Sequence, residues 1–152
     1  MSQENVEIVR SLQPSPDTDL VALFRDDAAA TALAHAVSPF IHQDFEIVAP
    51  TFVSGQGARF VGLEGLREGW LDWLEPWESY RVEVEDVIDA GDEVLVLVRD
   101  YGRRAGSAVE ASVMGGAVWT VRDGKIAKVS FYLNRSDTLE AVGLSEQDAS
   151  RR

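Results

Sequence analysis

Apolar and polar side chains alternate through four long runs between Arg81 and Asn134: RVEVEDVIDA, EVLVLVRDYGRR, SAVEASVMGGAVWTVR and KIAKVSFYLN. A period of two marks a strand whose two faces meet different surroundings. Turn-forming residues separate the runs at Gly91–Asp92, Arg104 to Gly106 and Asp123–Gly124. The pattern predicts one antiparallel meander. Strands longer than about five or six residues twist and curl, and a curled sheet has a concave side that can hold a ligand.

Upstream the period changes to 3.6. Val6, Val9 and Leu12 share a helix face that Ser2 opens and Pro14 and Pro16 close. Asp17 or Thr18 caps a second short helix with Leu20, Leu23 and Phe24. Asp26 and Asp27 begin a third, with Ala29, Leu33, Ala36, Val37 and Phe40 at helical spacing. Phe45 to Pro50 reads as a short strand, and Thr51 to Arg59 as a loop with SGQG at 54–57. A fourth helix, from about Glu64 to Trp77, carries Leu66, Trp70, Trp73, Leu74 and Trp77 as one stripe. Such an aromatic face either fills or walls the hollow of a curled sheet. Ser136 caps a last helical turn ended by Gly143. The order predicts a single α+β domain over 1–144, with N-terminal helices across the concave face of the sheet and an unordered tail at 145–152.

Alternation also sorts the side chains by face. Val96, Val98 and Asp100 point one way on the second meander strand, and Met114 and Val118 share a face on the third. With Phe131 on the fourth strand, Ile47 on the short strand, and Trp70 and Trp73 on the aromatic helix, they form the expected lining of a mostly apolar pocket. Leu95, Leu97, Tyr101, Trp119 and Tyr132 form the opposite face. That face is too apolar for a solvated surface, which argues for a homodimer packed through it. A bulge at Gly115–Gly116 would swap the facing beyond it.

Composition narrows the partners. A net charge of −12 opposes binding to nucleic acid and to anionic membrane surfaces. The chain has no cysteine and two histidines, which removes thiol chemistry and thiolate metal sites and argues against a metal or other cofactor. The polar N-terminus is unlike a signal peptide, and no apolar run reaches the roughly 18 residues of a membrane span. The expected location is cytoplasmic.

The segments MSQENVEIVRSL, HQDFEIVAP, GLEGLREGWLDWLE, EVEDVIDAGDEVLVLVR and AVWTVRDGKIAKVSFYLNRSDTLEAVGL resemble the SnoaL-like branch of the nuclear transport factor-like, or ketosteroid isomerase-like, superfamily. The resemblance runs to about Leu144. It implies a cone-shaped α+β barrel with a cavity between sheet and helices, and dimers through the sheet. It does not carry the family's chemistry with it. The positions of the isomerase acid, second acid and tyrosine fall at Ala49, near Gly116 and at Leu12–Gln13. Of the epoxide hydrolase residues one aspartate matches Asp100, while the other positions fall on Val98, Phe131, Ile47 and Ala49.

Asp100 is the single candidate acid or base. Buried among Val96, Val98 and Phe131, its pKa would rise. Exposed at the strand end, or paired with Arg99, Arg103 or Arg104, it would be structural. Glu110 near a hairpin tip reads as solvated, His42 as a structural residue at the end of the third helix, and His35 as a surface residue. SGQG meets neither phosphate-loop nor dinucleotide spacing and reads as a lip over the cavity. The sequence supports a protein that binds a small hydrophobic or aromatic molecule. An isomerase, cyclase or epoxide hydrolase working through Asp100, and a dimerisation module whose core is filled by Trp70, Trp73 and Trp77, are the alternatives.

Overall fold

The computed structural model describes residues 2–50 and 57–150. Four helices interleave with two strands before the meander. These elements are α1 (Ser2–Ser11), α2 (Leu20–Arg25), α3 (Asp27–Val37), a single 3-10 turn (Ser38–Phe40), β1 (Ile41–Pro50), β2 (Gly57–Val61) and α4 (Gly62–Leu74). The meander follows as β3 (Trp77–Ala90), β4 (Glu93–Arg104), β5 (Glu110–Arg122) and β6 (Lys125–Tyr132), then α5 (Arg135–Glu140) and α6 (Glu146–Ser150). The strands form one open six-stranded sheet in the order β2-β1-β6-β5-β4-β3. Every neighbouring pair is antiparallel except β1 with β6, so the sheet is mixed.

Local chemistry sets the boundaries. Asp19 and Asp26 cap α2 and α3 by accepting the Val21 and Ala29 amides at 3.0 Å each. α4 stops at Leu74 rather than Trp77: Glu75 still has helical φ and ψ, but Pro76 has no amide to donate to the preceding turn and its ring crowds the carbonyl there. Trp77 therefore opens β3. Asp123 and Gly124 both take positive φ, 56° and 74°, which makes the tight β5–β6 turn that matches the twist of its strands.

The structure moves several elements from their sequence-based positions. β1 starts at Ile41, so His42 lies on a strand, where its Nδ1 accepts the Asp44 amide at 3.0 Å. β2 occupies Gly57–Val61, where a loop was expected; most of SGQG lies outside the described residues. Part of the tail forms α6, held by an Arg135–Glu146 ion pair at 3.0 Å.

Two register shifts decide which side chains face inward. Val84 pairs with Val98 but Asp86 pairs with Leu97, so β3 holds one extra residue, Glu85. Val121 pairs with Ile126 but Thr120 pairs with Lys128, so β6 holds an extra Ala127. An unbroken two-residue hairpin would set Val118 opposite Val129. The shift sets Trp119 there instead. Trp119, Ala117 and Val121 therefore pack inward with Phe45, Ile47, Val94, Val96, Ile126 and Val129. Val118 turns outward with Leu95, Leu97 and Ile88.

That outward cluster is covered by the chain itself. α5 packs across β4, β5 and β6 and brings in Leu139, with Val142 and Leu144 following it. Gly116 makes the close approach possible, since a Cβ there would stand 2.6 Å from the Thr138 hydroxyl. The Gly115–Gly116 pair thus serves packing, and the ladder is regular through it. The proposed dimer face is corrected accordingly. Leu95 and Leu97 are buried under α5, Trp119 faces inward, and only Tyr101 and Tyr132 remain partly open on the outer side. Beyond α5 the outer face is laced with charge: Arg99–Glu85 at 3.6 Å, Arg103–Glu78 at 2.9 Å and Arg81–Glu110 at 3.2 Å. Among the described residues no helix is long and apolar enough to cross a membrane.

Candidate functional site

The inner face divides into two parts. Around Val9, Phe45 and Ile47 it is packed and apolar. Toward the free ends of β3, β4 and β5 lies a pocket of about 180 Å³, lined by Trp73, Trp77, Tyr80, Asp100, Gly102, Ala111, Val113 and Leu133. It is smaller than the roughly 300 Å³ at which sites for drug-sized ligands begin. It is on the scale of a cavity that takes one benzene ring, roughly 150 Å³.

Each wall is placed by identifiable contacts. Arg25 of α2 donates to the carbonyls of Leu74 and Trp77 at 3.2 and 3.0 Å, which ties the α4–β3 junction to α2. Trp77 lies over Gly102, where a Cβ would be 2.6 Å from the indole. Asp19 accepts the Tyr80 amide at 3.1 Å while capping α2. Tyr80 stands edge-on to Trp73 and tilted to Trp77, with ring centroids 6.3 and 5.5 Å away. Trp70 is sandwiched elsewhere, stacked on Phe24 at 5.5 Å and edge-on to Phe131 at 5.7 Å. The three tryptophans of the stripe therefore divide their roles. Trp70 fills the centre, and Trp73 and Trp77 wall the pocket.

Asp100 sits diagonally across the strand pair from Tyr80, because Tyr80 pairs with Gly102 and Val82 with Asp100. The Tyr80 hydroxyl donates to Asp100 Oδ2 in a short hydrogen bond. Asp100 Oδ1 is sealed from water and has no hydrogen-bond partner among the described residues. The same holds for Trp77 Nε1 and Trp119 Nε1. The candidate arginine partners are engaged elsewhere. Arg99 and Arg103 point to the outer face and pair with Glu85 and Glu78, and the Arg104 guanidinium lies over the Trp77 ring, 5.2 Å from its centroid. No ion pair among the described residues includes Asp100. Burial pushes its pKa up to about 6, against the opposing pull of the Tyr80 hydrogen bond. The Tyr80 phenol is driven far above its ordinary range by burial and by the neighbouring Asp100 charge, with a hydrogen bond from Trp73 opposing. Tyr80 is therefore a donor at every physiological pH, and Asp100 changes charge at about pH 6.

Of the nine residues expected to line a pocket, Trp73 and Asp100 do so. Ile47 and Val96 are buried in the packed part of the inner face, and Val98, Trp70 and Phe131 pack against the core. Met114 and Val118 belong to the outer face, Met114 within reach of Arg99 at 3.3 Å. Glu110 is outward as well, paired with Arg81. Tyr80 and Trp77 were missed as pocket residues, though a signal existed. Extending the alternation of Val82 and Val84 one step back reaches Tyr80. Among the described residues no group of three or more His, Asp or Glu side chains is placed to hold a metal ion.

Comparison with known proteins agrees with this architecture. A family model for the SnoaL-like domain matches residues 18–129, and the chain belongs to that family. Three solved structures show how widely the fold is shared. The first is a candidate SnoaL-like polyketide cyclase from Jannaschia sp. CCS1, 20% identical over 86% of this chain and 85% of that one, with a TM-score of 0.63. TerC, co-crystallised with polyporic acid, is 21% identical over 91% and 98%, with a TM-score of 0.62. A Catenulispora acidiphila protein with a ketosteroid isomerase-like fold, in complex with trimethylamine, is 20% identical over 87% and 95%, with a TM-score of 0.56. At such identities the likeness establishes the fold. No curated protein matches the sequence.

Proposed function

We propose that the protein binds one compact, largely apolar small molecule in the pocket between α4 and the free ends of β3, β4 and β5, with Asp100 as the polar group that orients it. The observation that carries this reading is the buried Asp100 Oδ1, without a partner in an otherwise apolar and aromatic pocket. A carboxylate left this way costs stability, and a ligand that brings a compensating charge or dipole near it, without touching Oδ1, offsets part of the cost. The pocket volume favours molecules of about one ring over steroids and multi-ring polyketides. That TerC was co-crystallised with polyporic acid and the Catenulispora protein solved in complex with trimethylamine supports reading this chain as one that binds a small molecule. Titration of one-ring compounds against intrinsic tryptophan fluorescence tests the reading, since Trp73 and Trp77 form the walls. Saturable quenching, weakened by Val113→Trp at the mouth, is expected. No response from any compact probe would overturn it.

A second reading makes Asp100 a general base. It rests on a carboxyl group held at about pH 6 beside a fixed hydrogen-bond donor, since an acid or base works best near its operating pH. Asp100→Asn would then abolish turnover and retain binding. Equal turnover by both proteins would remove the catalytic role.

A further inference from the structure

We propose that the occupant of this pocket is a small alkylated amine in its cationic form, seated among the rings of Trp73, Trp77 and Tyr80 opposite Asp100. The proposal rests on the reading that the pocket is a ligand site, and specifies the chemistry of the ligand.

Four observations converge. Asp100 is a largely buried acid with no cationic partner among the described residues, and the three arginines nearest to it in sequence are directed elsewhere. The pocket lacks a positive charge that the protein could have supplied, so a cation is the natural complement. Three aromatic rings line the same small space, and two of them meet the third at interplanar angles of 86° and 55°. Rings set at such angles enclose a volume from several sides, which suits a cation attracted to π faces. The remaining lining is Ala111, Val113, Leu133 and Gly102. These groups suit methyl substituents and cannot replace the water around a bare ammonium ion, so they favour alkylated amines. The volume of about 180 Å³ holds roughly six water-sized groups, enough for a trimethylammonium head with a short chain.

The charge balance points the same way. An anion would meet Asp100 and a net charge of −12, and a neutral molecule would leave the carboxylate uncompensated. Attraction between the cation and Asp100 does not require contact, so the sealing of Oδ1 behind the pocket wall does not prevent it.

The test compares choline with its uncharged carbon isostere, in which a tert-butyl group replaces the trimethylammonium, by calorimetric titration of the full chain near neutral pH. Choline is expected to bind at least about ten-fold more tightly, and Asp100→Asn to erase that preference while still binding the isostere. Equal affinities in the wild-type chain would overturn the cation proposal and leave the pocket reading intact. Binding of neither compound, with one-ring neutral probes still bound, would also overturn it. Silence from every compact probe would overturn both. The wild-type comparison stands even where Asp100→Asn fails to fold. As a second readout, ring currents should move the methyl protons of bound choline upfield; an unshifted bound methyl signal would place the amine outside the cage and contradict the proposal.

Discussion

One strand, β4, runs through two regions that obey different rules. At one end its inward side chains are Val94 and Val96, both essentially inaccessible, packed with Val9, Phe45 and Ile126. Past Val98, at the other end, the inward positions are Asp100, hydrogen-bonded to Tyr80, and Gly102, covered by Trp77, beside a cavity that Trp73 also lines. The first region is dry and filled, as expected of a close-packed core. The second keeps a cavity and an unpaired carboxylate oxygen, while each region holds one unpaired indole N–H, Trp119 in the first and Trp77 in the second. Burying a carboxylate oxygen without a partner costs more than burying an indole N–H, so the second region gives up more stability than the first. The proposed ligand site lies at the end of the sheet where packing is incomplete.

Substitutions at both ends sharpen the contrast. The largest loss is expected from Phe45→Ala in the packed region, about 3–5 kcal/mol by urea denaturation. Gly102→Ala drives a methyl into the Trp77 ring and is expected to cost about 1–3 kcal/mol, with weaker binding of any pocket ligand. Tyr80→Phe keeps the ring but removes the hydrogen bond that holds the Asp100 pKa down. The Asp100 carboxyl should then titrate still higher than about 6, measurable by NMR of its carboxyl carbon. Leu133→Ala, at a side chain 41% exposed on the pocket rim, is expected to change stability by less than about 1 kcal/mol. A loss at Leu133 as large as that at Phe45 would erase the distinction between the two ends.

Much of this was readable from the sequence, and the failures have one cause. Alternation and turn residues place β4 at Glu93–Arg104 and put Val96 and Asp100 on the same face, as found. The helical period finds the tryptophan stripe, and Pro76 explains why Trp77 leaves it. What alternation cannot show is the pair of extra residues, Glu85 and Ala127, because a bulge changes pairing without changing the hydrophobic pattern. Glu85 places Val82 rather than Glu83 opposite Asp100, which brings Tyr80 within reach of it. Val118 and Met114 pair with Leu95 and Arg99 and share their outward face, and the extra Ala127 is what sets Val129 opposite Trp119 instead of Val118. The apolar outer face invited a partner, yet Leu139, Val142 and Leu144 of the same chain cover it. Gly116 marks where they dock, a close approach that a single sequence does not distinguish from a bulge.

The central claim is that Asp100 carries an uncompensated charge in a site kept for a ligand. The group titrates near 6 in the folded chain and near 3.8 in an unfolded one. The folded state therefore holds the extra proton between those values, and stability from this group is present at low pH and falls as pH rises from about 4 to about 6. The direct measurement is the difference in unfolding free energy between Asp100→Asn and the wild type, by urea denaturation at about pH 4 and about pH 7.5 without ligand. The variant should gain roughly 2–3 kcal/mol on the wild type between the two conditions. A difference that does not change with pH, or one that moves against the variant as pH rises, would contradict the account.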